Sequence, residues 1–233
     1  MDASVDSGPA DTGMDMGSAD TGADDTGADD TGPADTGPAD TGPAPYGLDT
    51  LVYNEDCVVE VVNPDETIDV AALVSETGCY TDPVEKTTTA SLIPFSINSA
   101  LWTDGVTKRR FLAIPPGTSV GYRPDYSWDF PVGTILMKEF ILQMDESDPD
   151  SMKVLETRFL VKYDDRFWRG YSYRWNPEGT DAMLLDNTVD DLRFDYEVTE
   201  VGGGTRTHSH GFPARVSCLQ CHAPRAGGGN GTQ

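Results

Sequence analysis

The first 49 residues contain no lysine or arginine, although they hold 12 of the chain's 40 acidic residues. The remainder, with 28 acids against 16 bases, is acidic too, and the formal charge is -24 over 233 residues. That balance argues against nucleic acid as a partner, because a phosphate-neutralising surface needs clustered Lys and Arg. One short basic run, Lys108-Arg109-Arg110, lies inside an apolar strand-like segment and reads as a solvated stretch. No run of about 18 apolar residues occurs, so no segment has the pattern of a membrane-spanning helix. The start, Met1-Asp2-Ala3-Ser4, lacks the charged and apolar regions of an export signal. No nucleophile elbow, phosphate-binding loop or metalloprotease helix is found, which removes the common signatures of hydrolysis and phosphoryl transfer.

What is present falls into three parts. Residues 1–45 are low in complexity: Asp-Thr-Gly recurs from Asp11, Asp20, Asp25, Asp30, Asp35 and Asp40. Such a segment has little to bury and repels itself, so a disordered acidic spacer is expected. A calcium-binding role is the alternative, but the repeat matches neither the EF-hand loop nor the glycine-rich nonapeptide. From Pro45-Tyr46 the composition changes, and residues 46–211 read as a β-rich domain. Val58 to Val62 is strand-like, and Asp69 to Val74 reads as one or two helical turns ended by Gly78. Pro116-Gly117 suits a type II turn, and Thr134 to Met144 reads as a central strand. Val154 to Tyr163 alternates, with Leu155, Thr157, Phe159, Val161 and Tyr163 on one side and Glu156, Arg158 and Lys162 on the other. Asp164-Asp165 then turns the chain into Arg166–Trp175. Leu192, Phe194, Tyr196 and Val198 alternate again, and Val201 to Gly211 reads as a Gly/Thr-rich loop. The expected fold is mainly β, an antiparallel β-sandwich or jelly-roll-like domain with a short helix.

Residues 212–233 carry the strongest motif. Cys218-Leu219-Gln220-Cys221-His222 has the Cys-x-x-Cys-His spacing of c-type haem attachment. Each thiol adds to one porphyrin vinyl group, and His222 supplies the proximal iron ligand. The alternatives are a disulfide, a redox dithiol, or a zinc site completed by His208 and His210. For haem, the sixth ligand is expected from His210, 12 residues upstream, or next from His208, with Met137, Met144, Met152 and Met183 as further options. The other two cysteines, Cys57 and Cys79, are expected to pair in an oxidising compartment; two unrelated buried thiols are the alternative. Trp168, Tyr171, Tyr173 and Trp175, with Arg169 and Arg174, offer a carbohydrate-stacking surface or, more simply, cross-strand packing. Asp164-Asp165 and Asp190-Asp191 fit turns without catalysis. Only 11 residues follow His222, too few for the downstream helices and distal Met of a small cytochrome c domain. The haem is therefore expected to lie against the preceding β domain, or the chain to continue beyond its present end.

Several separate motifs resemble a family of bacterial exported c-type cytochromes. They include Pro94-Phe95-Ser96-Ile97-Asn98-Ser99-Ala100-Leu101-Trp102-Thr103-Asp104-Gly105, Ala113-Ile114-Pro115-Pro116-Gly117 and Trp128-Asp129-Phe130-Pro131-Val132-Gly133-Thr134. Glu156-Thr157-Arg158, Gly170-Tyr171-Ser172-Tyr173-Arg174-Trp175-Asn176, Asp181-Ala182 and the Cys218–His222 motif add to it. The resemblance covers about residues 73–233. Members of that family stand alone or are fused to propellers similar to quinone-dependent sugar dehydrogenases. It implies one covalent haem c and electron transfer in the periplasm or at the cell surface, with a redox protein such as a periplasmic dehydrogenase as partner. The chain would then be an electron carrier rather than an enzyme. Because covalent haem c is attached outside the cytoplasm, an export signal is expected upstream or the gene start is miscalled, any membrane contact being a lipid anchor there. Members of the family often continue to a second haem site, which raises the prospect that the chain is a fragment. The pair His208 and His210 has no counterpart in the resemblance.

Overall fold

The computed structural model describes residues 56–99, 101–124, 127–186 and 190–222, the side chains of 219–222 excepted. The expected spacer at 1–45 lies outside the described residues.

The strands follow one another with little helix between. β1 (Glu60–Val62) pairs with β2 (Ile68–Val70), and β3 (Tyr80–Asp82) with β4 (Thr87–Thr88). β5 (Ile93–Pro94) and β6 (Thr107–Ala113) enter the main sheet, while β7 (Gly121–Tyr122) and β8 (Trp128–Asp129) form a side ribbon. β9 (Ile135–Gln143), β10 (Met152–Lys162), β11 (Trp168–Trp175) and β12 (Ala182–Leu184) complete the main sheet, in the order β12-β11-β10-β9-β6-β5 with all neighbours antiparallel. β13 (Leu192–Thr199) and β14 (Thr205–Phe212) form a separate hairpin, and α1 (Arg215–His222) follows it. The chain is thus mostly β, with antiparallel sheets, one short α-helix and no closed barrel among the described residues.

Alternation gives the main sheet two buried faces. One face sends Phe111, Ala113, Ile135, Met137, Phe159, Val161, Tyr171, Tyr173 and Trp175 against the segment that holds Cys57, Val59, Val74, Cys79, Tyr80 and Leu92. Cys57 and Cys79 are joined there as a disulfide, the pairing expected from the sequence. The opposite face is covered at one end by the β13–β14 hairpin, through Val198 on Phe140, Leu142 and Leu155, and at the other by α1.

Three local expectations need correction. Asp69 and Val70 are not helical: β2 pairs with β1, and only Val74–Thr77 makes a 3-10 turn. The Glu76 carboxylate caps that turn by accepting from the N–H groups of Ala72 and Leu73. Gly78 does end it, at φ +66°, where a left-handed backbone suits glycine. Second, the alternation of β10 breaks between Val154 and Glu156, where the register shifts against β9. This bulge puts Leu155 on the opposite face from Phe159 and Val161. Third, most of 201–211 is not a loop. The turn spans only Val201–Gly204, closed by the Glu200 N–H on the Gly204 carbonyl at 2.8 Å, and β14 runs from Thr205.

Candidate haem-attachment site

The motif helix is positioned from both its start and its flank. Asp191, just before β13, accepts from the Ala214 N–H at 2.6 Å and the Ser217 hydroxyl at 2.9 Å. These bonds satisfy donors at the start of α1 and hold the Asp191 carboxyl below its usual value, the Ala214 bond contributing most. The acid that the sequence presents as turn chemistry is therefore the anchor of the motif helix, a role that only the fold reveals.

Within α1, positions 218, 221 and 222 are spaced i, i+3 and i+4 and share one side of the helix. Cys218 is buried, as a free thiol, on Leu160 and Trp168, with Phe130 and Leu136 beside it. Burial pushes its thiol pKa up. The contact depends on Gly170, where an added Cβ would stand 2.7 Å from the Cys218 sulfur. Gly170→Ala is expected to cost about 1–3 kcal/mol through overpacking and to loosen α1. The check is the rate of Cys218 alkylation in a Cys221→Ser background, which should rise. An unchanged rate would show that Gly170 does not seat the helix. Cys221 and His222 lie in the last turn of α1, and their side chains are outside the described residues.

The two upstream histidines are neither in a loop nor exposed. They alternate inward from β14, 5% and 3% exposed, with their rings stacked 6.0 Å apart. His210 lies against Phe140 and Phe212, and its Nε2 is 3.0 Å from the Glu156 carboxylate. Glu156 is fully buried and also receives Arg158 through two bonds, at 2.8 and 2.9 Å. Burial alone would raise the Glu156 pKa; Arg158 and the His210 bond overcome it and hold the group below its ordinary value. An ionised carboxylate only accepts, so the His210 Nε2 carries the proton and is committed to Glu156. His208 differs: its Nε2 is buried without a hydrogen-bond partner. Burial, then the nearby His210 and Arg206, push its pKa down and favour the neutral ring. Of the pair, His208 rather than His210 has the uncommitted nitrogen, the reverse of the order expected from the sequence.

The remaining candidates disperse. Met137 sits in the core on the far face of the sheet, Met144 packs near Val198, and Met152 and Met183 are exposed. Tyr171, Tyr173 and Trp175 are buried on the far face and Trp168 is buried under α1, so these four rings do packing work. Among the described residues no three His, Cys, Asp or Glu side chains converge as a metal-binding group. The basic run is split by alternation. Arg109 bridges the buried Glu139 at 2.5 Å on the far face, while Lys108 and Arg110 occupy the face that carries α1. No family model, curated protein or solved structure matches the chain.

Proposed function

We propose that this chain is a c-type cytochrome module that carries one covalent haem on Cys218, Cys221 and His222 and transfers electrons in the periplasm or at the cell surface. The observation that carries the reading is the placement of the Cys-x-x-Cys-His motif. Its residues fall on one side of a short helix, and Cys218 faces an apolar wall of Phe130, Leu136, Leu160 and Trp168. This donor set and wall fit a flat, largely apolar group with two vinyl positions. Each thiol would add across one vinyl double bond, sulfur to one carbon and hydrogen to the other, with no oxidant needed. His222 would supply the proximal nitrogen. When bound, the haem supplies one-electron exchange at iron. The chain's own part is to hold the ring edge, exclude water with the apolar wall, and fix α1 through Asp191 and Gly170. A redox protein, of which a periplasmic dehydrogenase is one kind, would dock to exchange the electron. The Cys57–Cys79 disulfide agrees with an oxidising compartment.

Co-expression of an exported form with haem-maturation factors tests the reading. The expected product is coloured, with a haem stain that survives denaturation and is lost completely in Cys218→Ser/Cys221→Ser. Colourless protein with stoichiometric zinc, or colourless metal-free protein that binds oligosaccharide, would overturn it.

A further inference from the structure

Strand register brings three cations into one line. Arg110 on β6 lies opposite Lys138 on β9, and Lys138 lies opposite Arg158 on β10. Like charges directly opposite in a sheet are destabilising, and the arrangement occurs in a chain with only 16 bases against 40 acids. Lys108 adds a fourth base two residues along β6; its ammonium is occupied by the Leu101 carbonyl at 2.7 Å and the Thr103 hydroxyl. Of the carboxylates near the line, Glu156 is already shared between Arg158 and His210, and Asp191 accepts from Ala214 and Ser217. Arg110 and Lys138 make no hydrogen bond or ion pair among the described residues, and both are only partly exposed. Burial of Lys138, followed by repulsion from Arg158, Arg110 and Lys108, brings its ammonium down to about 8. Among the described residues, Arg110 and Lys138 thus have no anion of their own, and Arg158 shares Glu156 with His210.

The neighbouring row is apolar. Leu112, Leu136, Leu160 and Gly170 are in register across β6, β9, β10 and β11, and Cys218 rests on Leu160 and Gly170. Leu160 and Arg158 are two residues apart on β10, about 7 Å, so the cationic row borders the apolar row directly. Such a surface complements a flat ligand that is apolar at the edge linked to sulfur and ends elsewhere in paired carboxylates. Haem c has that polarity, with its two propionates on the ring edge away from the thioether links. We propose that Arg110, Lys138 and Arg158 form the seat of the haem propionates, an assignment that rests on haem attachment at Cys218, Cys221 and His222.

The haem-loaded full chain tests this through the pH dependence of its midpoint potential, with Arg110→Gln/Lys138→Gln beside the wild type. In the wild type the cations keep the propionates ionised well into acid, so no propionate-linked slope is expected near neutrality. In the double variant, with haem still covalently attached, the propionate-linked slope is expected to move up by about one pH unit. The potential above that slope is expected to fall, because two positive charges no longer oppose the ferric state. Lys138→Gln alone should give a smaller shift in the same direction. Replacing mutually repelling cations removes no partner, so the variants are expected to fold. A coloured double variant whose profile superimposes on that of the wild type overturns the propionate seat and leaves haem attachment standing. A colourless wild type overturns both. Paired carboxylates could also come from a free acid, so succinate is added to haem-free Cys218→Ser/Cys221→Ser protein. No stabilisation is expected there. Stabilisation abolished by Arg110→Gln/Lys138→Gln would give the row to a soluble dicarboxylate and overturn the assignment to haem.

Discussion

Glu156→Ala is expected to destabilise the chain by about 3–5 kcal/mol, the range for removing one partner from a buried ion pair. The carboxylate is fully buried and takes two bonds from Arg158 and one from His210. Without it, a guanidinium and an imidazole lose their acceptor between the main sheet and the β13–β14 hairpin. Repulsion from Lys138 and Arg110 would then act on Arg158 unopposed. Urea unfolding of the haem-free chain gives the number, and Glu156→Gln should recover part of it by keeping an acceptor oxygen. A loss below about 1 kcal/mol, the scale of a single ordinary hydrogen bond, would refute the ionised network.

The same network sets the acid response. His208 has a folded pKa below its ordinary 6.5. The unfolded chain therefore takes that proton first, and stability starts to fall as the pH drops through about 6.5. Glu156 has a folded pKa below its ordinary 4.5, so its contribution is complete above that value and is lost as the pH falls through the folded pKa. Wild-type stability should thus decline in two stages, and Glu156→Ala should lack its share of the lower one.

Cys57→Ala/Cys79→Ala is expected to cost about 3 kcal/mol, from the loop entropy of a bridge across 22 residues. Both cysteines are buried beside Val59, Val74 and Tyr80, so the bridge braces the covering segment internally where it lies on the face that holds Phe159 and Tyr173. The control is reductant: it should lower the wild-type urea midpoint towards that of the double variant and leave the variant unchanged. If the wild type ignores reductant under conditions that reduce the bridge, the bridge contributes little.

How far the fold is legible in the sequence depends on what sets each feature. β10 and β11 are readable because large apolar and aromatic residues alternate on one side, and Asp164 accepts from the Arg166 and Phe167 N–H groups at the turn between them. Leu155 is misread because a bulge moves one residue to the other face without any glycine or proline to announce it. β14 is misread because two of its inward positions are His208 and His210, so the period of two carries no apolar signal. The motif residues of the candidate site stand in adjacent positions, so the proposal to which they point can be framed from the sequence alone. The Arg110–Lys138–Arg158 row is not. It comes from register between three strands, and charges spaced this way in sequence look like ordinary surface residues. Gly170 and Asp191 are hidden for a related reason, as each acts on a helix some 25 to 50 positions away in the chain.

The run from β9 to β12 is a meander in which every strand pairs with the next one in the chain. Contacts of that kind close short loops and form early. The β13–β14 hairpin and α1 come after it, and both are laid on a face that the meander has already built. A chain released N-terminus first therefore completes its main sheet while the cysteine pair is still in water. The Cys218 thiol is withdrawn only when α1 docks, so topology would leave the proposed attachment chemistry an interval that this docking closes.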